Sequence, residues 1–227
     1  ALSSNISEIK ISYNGKSVSQ PITVTSGLQG KGTQAEPYQL SAEADFVRLR
    51  NEVQAGESFS GKIFKIMNDL TFSQDWEPIG CLKPGETNAN NGTNILPFSG
   101  EIDGNGATLT FASGSKPLFN YVREASVYHF NIAAPFMDGY ALVDKYTVDY
   151  GEDGDYNDGT GGSYEAGCPD TIDITGVTIK SGSVIKSGGF IGGFASGGNT
   201  VNMTDCIVEQ GVKIGCNADG STAGNPQ

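Results

Sequence analysis

An internal repeat of 29 residues is the feature that most constrains the fold of this chain. Residues 171–185 read TIDITGVTIKSGSVI, and residues 200–214 read TVNMTDCIVEQGVKI. When the two segments are aligned from their first residues, apolar positions coincide, and Ile174 falls on Met203. A repeat of this length, built from short β-branched runs separated by glycines, indicates one supersecondary unit stacked on a copy of itself.

Within the repeat, apolar and polar residues alternate with the period of a β-strand. Ile172 and Ile174 share one face of the predicted strand, and Asp173 lies on the other. Residues 127–132 match residues 174–179 at a longer offset, which places one more copy of the unit earlier in the chain. We therefore predict an all-β fold, a parallel β-solenoid in which the apolar faces of successive coils stack on each other.

Composition suits such a fold and argues against several functions. The 32 glycines among 227 residues are about twice the average usage, as expected for many tight turns. The formal net charge of −12 opposes binding to nucleic-acid phosphates. No apolar run is long enough to span a membrane. Cys81, Cys168, Cys206 and Cys216 lack the spacing of a zinc site, and Cys206, aligned with Val177, is predicted to be a small inward hydrophobe.

The start of the chain predicts a β-hairpin that precedes the repeat domain. Two alternating runs flank Asn14 and Gly15, a pair that favours a two-residue hairpin turn. We assign residues 1–36 to an N-terminal β annex and linker. Residues 37–227 are assigned to the parallel β-helix.

Residues 41–55 predict the helix of this chain. Phe46, Leu49 and Val53 recur at spacings of three and four and form an apolar stripe. Ser41 is the expected N-cap. We expect this helix to cap the β-helix by covering the end that would otherwise present a bare strand edge.

Several motifs occur in a fixed order along the chain. They read GKIFKIMNDL (residues 61–70), WEPIG (76–80), PFSGEIDGNG (97–106), LFNYV (118–122) and GGFIGGFASGGNTVNMTDCIV (188–208). This order resembles the GLUG-repeat proteins, which are pectin-lyase-like, right-handed parallel β-helices of bacterial cell surfaces and occur in adhesins. The resemblance implies a right-handed β-helix and an extracellular, cell-surface location; it implies little about activity, because the repeat is a scaffold.

Pectin-lyase-like folds also include polysaccharide lyases and glycoside hydrolases, so the resemblance raises the question of catalysis. The galacturonan hydrolases of this fold would need N-T-D, D-D and G-H-G motifs on successive coils, and this sequence has none of them. The single histidine, His129, aligns with Gly176 and is expected at a corner or on the surface. We predict no catalytic residues and keep a carbohydrate-active enzyme as the alternative.

An acidic, tyrosine-rich insertion at residues 144–167 interrupts the repeat, and three interpretations of it stay open. It could be a calcium loop, because oxygen-bearing side chains alternate there, although the spacing departs by one residue from a regular calcium-binding loop. The candidate ligands are Asp153, Asp155, Asn157, Asp158 and Glu165. It could instead contact a glycan or protein through the aromatic faces of Tyr146, Tyr150, Tyr156 and Tyr164. The third interpretation is a solvated loop without a ligand.

These observations predict a non-catalytic binding or adhesion module of a bacterial surface protein. The β-helix would be a stiff scaffold, and its flank loops at residues 83–94 and 144–167 would contact a host or matrix glycan or protein. No cofactor is expected apart from the calcium considered for the insertion, and no nucleic-acid partner and no membrane span are expected.

Overall fold

The computed structural model describes residues 6–13, 16–23, 27–87, 94–147, 171–192, 194–195 and 200–223. Side chains are described in residues 27–87, 94–144, 171–192 and 200–223. Within these ranges the chain consists mostly of short strands in parallel sheets, with a single α-helix. The strands and the helix are β1 (Ile6–Tyr13), β2 (Lys16–Thr23), β3 (Tyr38–Leu40), α1 (Glu43–Gln54), β4 (Ile63–Ile66), β5 (Leu70–Phe72), β6 (Cys81–Leu82), β7 (Ile95–Leu96), β8 (Glu101–Asp103), β9 (Thr108–Phe111), β10 (Phe119–Val122), β11 (Ser126–Tyr128), β12 (Asn131–Ala133), β13 (Val143–Thr147), β14 (Thr171–Thr175), β15 (Thr178–Ile179), β16 (Val184–Ile185), β17 (Phe194–Ala195), β18 (Thr200–Thr204), β19 (Ile207–Val208) and β20 (Lys213–Ile214).

Three parallel sheets of three or more strands organise the described part of the chain, and β16 and β20 form a further parallel pair. The first runs in the order β18-β14-β11-β8-β4-β3, the second in the order β19-β15-β12-β9-β5, and the third in the order β10-β13-β17. Apart from β3 and β4 in the first sheet, the strands of each of these sheets are not consecutive along the chain, so each sheet is built from strands of successive repeats. The all-β class is confirmed at this level, whereas closure of the three sheets into a right-handed β-helix remains a prediction.

The predicted register of the repeat is confirmed residue by residue. β14 pairs with β18 so that Ile174 lies beside Met203, and β16 pairs with β20 at the same offset. The longer offset is confirmed as well, because Val127 pairs with Ile174. A register shift of one residue would turn every apolar side chain to the opposite face, so the apolar pattern fixes this pairing.

Aromatic side chains fill the interior in the first half of the chain. Phe72 and Phe111 occupy paired positions on β5 and β9, and their rings stack with centroids 4.6 Å apart. Phe98 and Phe119 are stacked at 5.3 Å. Smaller isoleucine side chains fill the interior positions of β14 and β15. The core is therefore a continuous row of apolar layers that runs across the strands.

Helix α1 begins two residues later than predicted and ends one residue earlier, and the N-cap predicted at Ser41 is wrong. The N-cap is Ala42, whose methyl side chain cannot accept a hydrogen bond. Asp45 replaces a capping side chain, because its carboxylate accepts hydrogen bonds from the backbone N–H groups of Ser41 (2.9 Å) and Ala42 (3.1 Å). A first-turn carboxylate also interacts favourably with the helix dipole.

The apolar face of α1 covers one end of the sheets. Phe46 and Leu49 are fully buried. The helix contacts β3 and β5, which are the last strands at the same end of the first and second sheets. The ring of Phe46 meets those of Phe72 and Trp76 edge-on, at 5.1 and 6.4 Å. The expectation that this helix covers a strand edge agrees with these contacts.

The turn from the first sheet to the second uses left-handed backbone in three successive repeats. His129, Gly176 and Asp205 occupy equivalent positions with φ angles of 58°, 61° and 52°. A Cβ at Gly176 would lie 2.9 Å from Cδ2 of His129, which is closer than a carbon contact allows. Glycine is therefore favoured at this corner for two reasons: the backbone has a positive φ angle, and a side chain would be too close to His129. His129 is exposed there, as predicted.

The N-terminal hairpin is also confirmed. β1 and β2 pair antiparallel, and Tyr13 lies opposite Lys16, so two residues connect the strands. The division into an annex and a repeat domain remains a prediction.

Candidate functional site

The predicted contact residues of the acidic insertion lie almost entirely outside the described residues. This applies to Asp153, Asp155, Asn157, Asp158 and Glu165, the calcium candidates, and to Tyr150, Tyr156 and Tyr164. Tyr146 belongs to β13, where only its backbone is described. The described part of this region ends at Thr147, on the strand that leads into the insertion.

A polar cleft lies beside the start of that insertion. It has a volume of about 170 Å³ and is lined by Glu77, Pro78, Lys116, Pro117, Asn120, Asp138 and Asp144. We refer to these residues as the polar cleft. Asp144 is both a cleft residue and the first residue of the acidic segment, so the cleft and the insertion are continuous.

The third sheet positions two of the cleft side chains. β10 and β13 pair in parallel so that Phe119 lies beside Val143. The next residues along the two strands, Asn120 on β10 and Asp144 on β13, therefore also lie beside each other. Phe119 and Val143 are buried, whereas Asn120 and Asp144 are only partly buried. Because side chains alternate across a strand, the burial of one pair presents the other pair outward.

Loops that follow strands of the second sheet complete the cleft. Trp76 is 2% exposed, and its indole N–H donates to the backbone oxygen of Pro117 at 3.1 Å, which ties the loop at residues 73–80 to the loop before β10. The backbone N–H of Asp138 donates to the oxygen of Ser115 at 2.8 Å. Trp76 is therefore a packing residue, and its ring face is not available as a platform for a sugar.

A glycine keeps the strand at the cleft close to its neighbour. A Cβ added at Gly192 would lie 2.1 Å from Cε2 of Tyr140 and 2.4 Å from the backbone oxygen of Asp144. The backbone N–H of Gly192 donates to the oxygen of Val143 at 2.9 Å. Only a residue without a side chain lets this segment pair with β13 while the tyrosine ring lies against it.

The charges of the cleft favour hydrogen-bond donors and cations. Three carboxylates face one lining ammonium group, that of Lys116. Asp138 is also paired with Lys186, whose Nζ lies 2.7 Å from the carboxylate. Carboxylates accept hydrogen bonds from hydroxyl groups, and the Asn120 amide both donates and accepts. This donor and acceptor set suits a hydroxyl-rich ligand.

The described residues contain no group of three or more His, Cys, Asp or Glu side chains arranged to hold a metal ion. Among those residues there is likewise no helix with the length and apolar character needed to cross a membrane.

Cys81, Cys206 and Cys216 carry free thiols, and burial raises the pKa of the Cys81 thiol. Cys206 is half-buried at the position equivalent to Val177 and packs against the core, as predicted.

A second polar feature lies on the outer face of the first sheet. The Tyr128 hydroxyl donates a hydrogen bond to the Glu101 carboxylate. Partial burial, reinforced by that hydrogen bond, raises the pKa of Tyr128 well above its usual value. Asp103 lies beside Tyr128 on the neighbouring strand, 3.7 Å from the ammonium group of Lys65. This face therefore carries two carboxylates on β8, with a lysine and a tyrosine on the strands to either side.

Sequence reasoning missed the polar cleft because its residues come from three separate loops and two strands. One signal was available: in LFNYV the polar Asn120 interrupts an apolar run at the alternate position of a strand. The loop residues gave no signal, because their approach depends on how successive strands stack.

Comparisons with family models, with curated proteins and with solved structures each return no match to this chain. The resemblance to GLUG-repeat proteins therefore remains a prediction that rests on the motifs themselves.

Proposed function

We propose that this chain is a non-catalytic binding or adhesion module of a bacterial surface protein, in which a right-handed parallel β-helix holds a ligand-contacting flank. The ligand is a glycan or a protein rich in hydrogen-bond donors. The single observation that carries the proposal is the polar cleft at the root of the acidic, tyrosine-rich insertion. Loops that depart from a rigid scaffold are the usual place for recognition residues.

The scaffold supports this role through its stiffness. Each strand of the first sheet pairs in register with the next, and the buried core runs through the layers as far as segment 171–185. A cleft built across such layers keeps its side chains in place before the ligand arrives, which reduces the entropy lost on binding. Asn120 and Asp144 lie on adjacent strands in this way.

Calcium binding by the insertion is a subordinate part of the proposal. The oxygen-bearing side chains of residues 153–165 would be the ligands of the ion. A calcium titration followed by thermal melting tests this part, because an ion that binds only the folded chain must raise the melting temperature. An unchanged melting temperature at millimolar calcium would rule it out.

A glycan array with the purified chain tests the main proposal. We expect retention of an intact oligosaccharide, and we expect Glu77→Gln to weaken that retention because it removes a carboxylate from the cleft. The matched control is Glu36→Gln, the same chemical change at an exposed residue paired with Lys31 outside the cleft. Equal binding by the two variants would place the ligand elsewhere.

The outer face of the first sheet favours a second candidate, a carbohydrate-active enzyme of the same fold. Glu101 and Asp103 share one strand, and Tyr128 bonds to Glu101 from the next. A pair of carboxyl groups forms the catalytic centre of most glycoside hydrolases. Release of reducing or unsaturated sugar ends by the wild-type chain, lost in Glu101→Gln, would establish the enzyme and refute the binding module.

A further inference from the structure

The loop at residues 73–80 links two of the segments that line the polar cleft. Glu77 and Pro78 line the cleft, and Trp76, the residue before them, is the only tryptophan of the chain. The Trp76 side chain is 2% exposed, and its indole N–H donates to the backbone oxygen of Pro117, which also lines the cleft. A movement of Trp76 would therefore displace two parts of the cleft lining together.

Helix α1 holds this loop at two points. Glu43 accepts hydrogen bonds from Ser73 through the backbone N–H, at 3.1 Å, and through the hydroxyl group, at 2.8 Å. Arg50 donates from Nη1 to the backbone oxygen of Glu77 at 3.3 Å. Glu43 and Arg50 lie about two helical turns apart, so both side chains leave the same face of α1. The helix therefore contacts the loop at its start and again at a residue of the cleft.

Arg50 also contacts the ring of Trp76. The Cζ atom of its guanidinium group lies 5.9 Å from the ring centroid, within the range of a cation–π interaction. A planar guanidinium group can lie against an aromatic ring while one of its N–H groups donates to an oxygen. Arg50 thus holds the Trp76 ring and the backbone of Glu77 at the same time, whereas an apolar side chain could only pack against the ring.

The Nε atom of Arg50 argues against a role in packing alone. This atom is buried and has no hydrogen-bond partner among the described residues. Burial of an unsatisfied N–H lowers the free energy of unfolding, so an apolar side chain would serve packing at least as well. The bond from Arg50 to Glu77 gives a reason for an arginine here, because Glu77 brings a carboxylate to the polar cleft.

We propose that Arg50 is a positioning residue of the polar cleft, which holds the loop at residues 73–80 against α1 so that Glu77 is in place before a ligand arrives. The inference rests on the proposed function, because it gives Arg50 a role in that same site. Arg50 acts through Trp76 and Glu77 and need not touch the ligand. A side chain that is already held in its binding position loses less entropy on binding, so release of the loop weakens retention.

The single indole N–H of the chain gives a test that needs no ligand. Hydrogen exchange at the Trp76 indole is measured by NMR relative to the backbone amides of β11, in Arg50→Met and in Arg48→Met. Arg48 is the matched control, because it is also a half-buried arginine of α1, but its Nη1 donates to the backbone oxygen of Gly27 at 2.7 Å. We expect Arg50→Met to raise the ratio of indole to amide exchange by at least about tenfold, and Arg48→Met to leave it unchanged. Global unfolding exposes both sites, so a change in this ratio reports local opening of the loop even if a variant is less stable overall.

A glycan array connects the loop with binding. The probe is the oligosaccharide that the wild-type chain retains most strongly. Arg50→Met should retain it about tenfold less well, because the bond that holds Glu77 is lost, whereas Arg48→Met should match the wild type. Arg50→Lys keeps a cation and N–H donors and should bring retention back to within about threefold of the wild type.

The outcomes separate this inference from the proposed function. Equal exchange ratios in Arg50→Met and Arg48→Met overturn the inference, and so does a raised ratio with unchanged retention. An Arg50→Lys variant that retains the probe no better than Arg50→Met overturns it as well. If the wild-type chain retains no oligosaccharide, the proposed function fails, and the exchange ratio still decides whether Arg50 holds the loop.

Discussion

Substitution of the same repeat position in two successive segments gives the sharpest test of the stacking. Ile174→Ala removes apolar carbons from a site with 0% exposure. At about 0.8 kcal/mol for each methylene-sized group, with an added cost for the cavity, we expect a loss of about 3 to 4 kcal/mol in the free energy of unfolding. Met203→Ala changes the paired residue, which is 44% exposed, and should cost about 1 kcal/mol.

Urea denaturation followed by circular dichroism measures both losses, and thermal melting checks them. For a chain of this size each kcal/mol corresponds to roughly 2 to 4 °C, so the melting temperature should fall by about 10 °C for Ile174→Ala and by about 3 °C for Met203→Ala. Ile207→Ala, at an outward position in the same segment as Met203, is the control and should change little. Equal losses at residues 174 and 203, or a larger loss at 203, would refute the reasoning that one segment is covered and the other open.

Three further outcomes follow from the described contacts. Gly192→Ala should lower the free energy of unfolding by about 1 to 3 kcal/mol and weaken ligand retention at the polar cleft, because its methyl group would overlap the Tyr140 ring and the backbone of Asp144. The control is Gly188→Ala, whose methyl group would meet only one atom, at 4.0 Å. Equal effects of the two substitutions would contradict the steric argument. Gly176→Ala should cost about 1 to 2 kcal/mol in chemical denaturation, because its φ of 61° disfavours any side chain, and a neutral result would mean that this corner relaxes freely. The hydroxyl of Tyr128 should keep its proton above about pH 10, where ordinary tyrosines ionise. Because its pKa is raised in the folded chain, the protonated hydroxyl contributes fully to the free energy of unfolding below about pH 10, and this contribution is lost as the pH rises through the raised pKa. Glu101→Gln should bring the ultraviolet titration of Tyr128 toward the ordinary value, and an unchanged curve would remove that carboxylate as a cause.

Local pattern was sufficient to predict the repeat and its pairing. Alternation of apolar residues determines which face of each strand is buried, and the spacing between copies determines the register. For this reason the pairs Ile174–Met203 and Val127–Ile174 could be predicted before any coordinates were known, and both are confirmed. The pairing of β1 with β2 is local in the same sense, because the Asn-Gly pair between the two alternating runs was sufficient to predict it.

The helix illustrates the limit of local reasoning. Its apolar stripe was sufficient to predict the buried face, but the cap was assigned to the wrong residue. Ser41 is a good capping residue by type, yet Asp45 accepts hydrogen bonds from the backbone N–H groups of both Ser41 and Ala42. Both Ser41 and Asp45 could cap the start of α1. The direction in which the chain leaves β3 decides which of them accepts hydrogen bonds from the backbone N–H groups there.

The sequence by itself determined the strand period, the offset between copies and the inward residues, because each of these depends on the spacing of apolar side chains along the chain. Only the tertiary structure decided which outward residues meet. Glu77, Asn120 and Asp144 lie far apart in sequence, and parallel stacking brings them to one cleft. The exposure of Met203 is decided in the same way, because an apolar residue becomes buried only when another layer covers it.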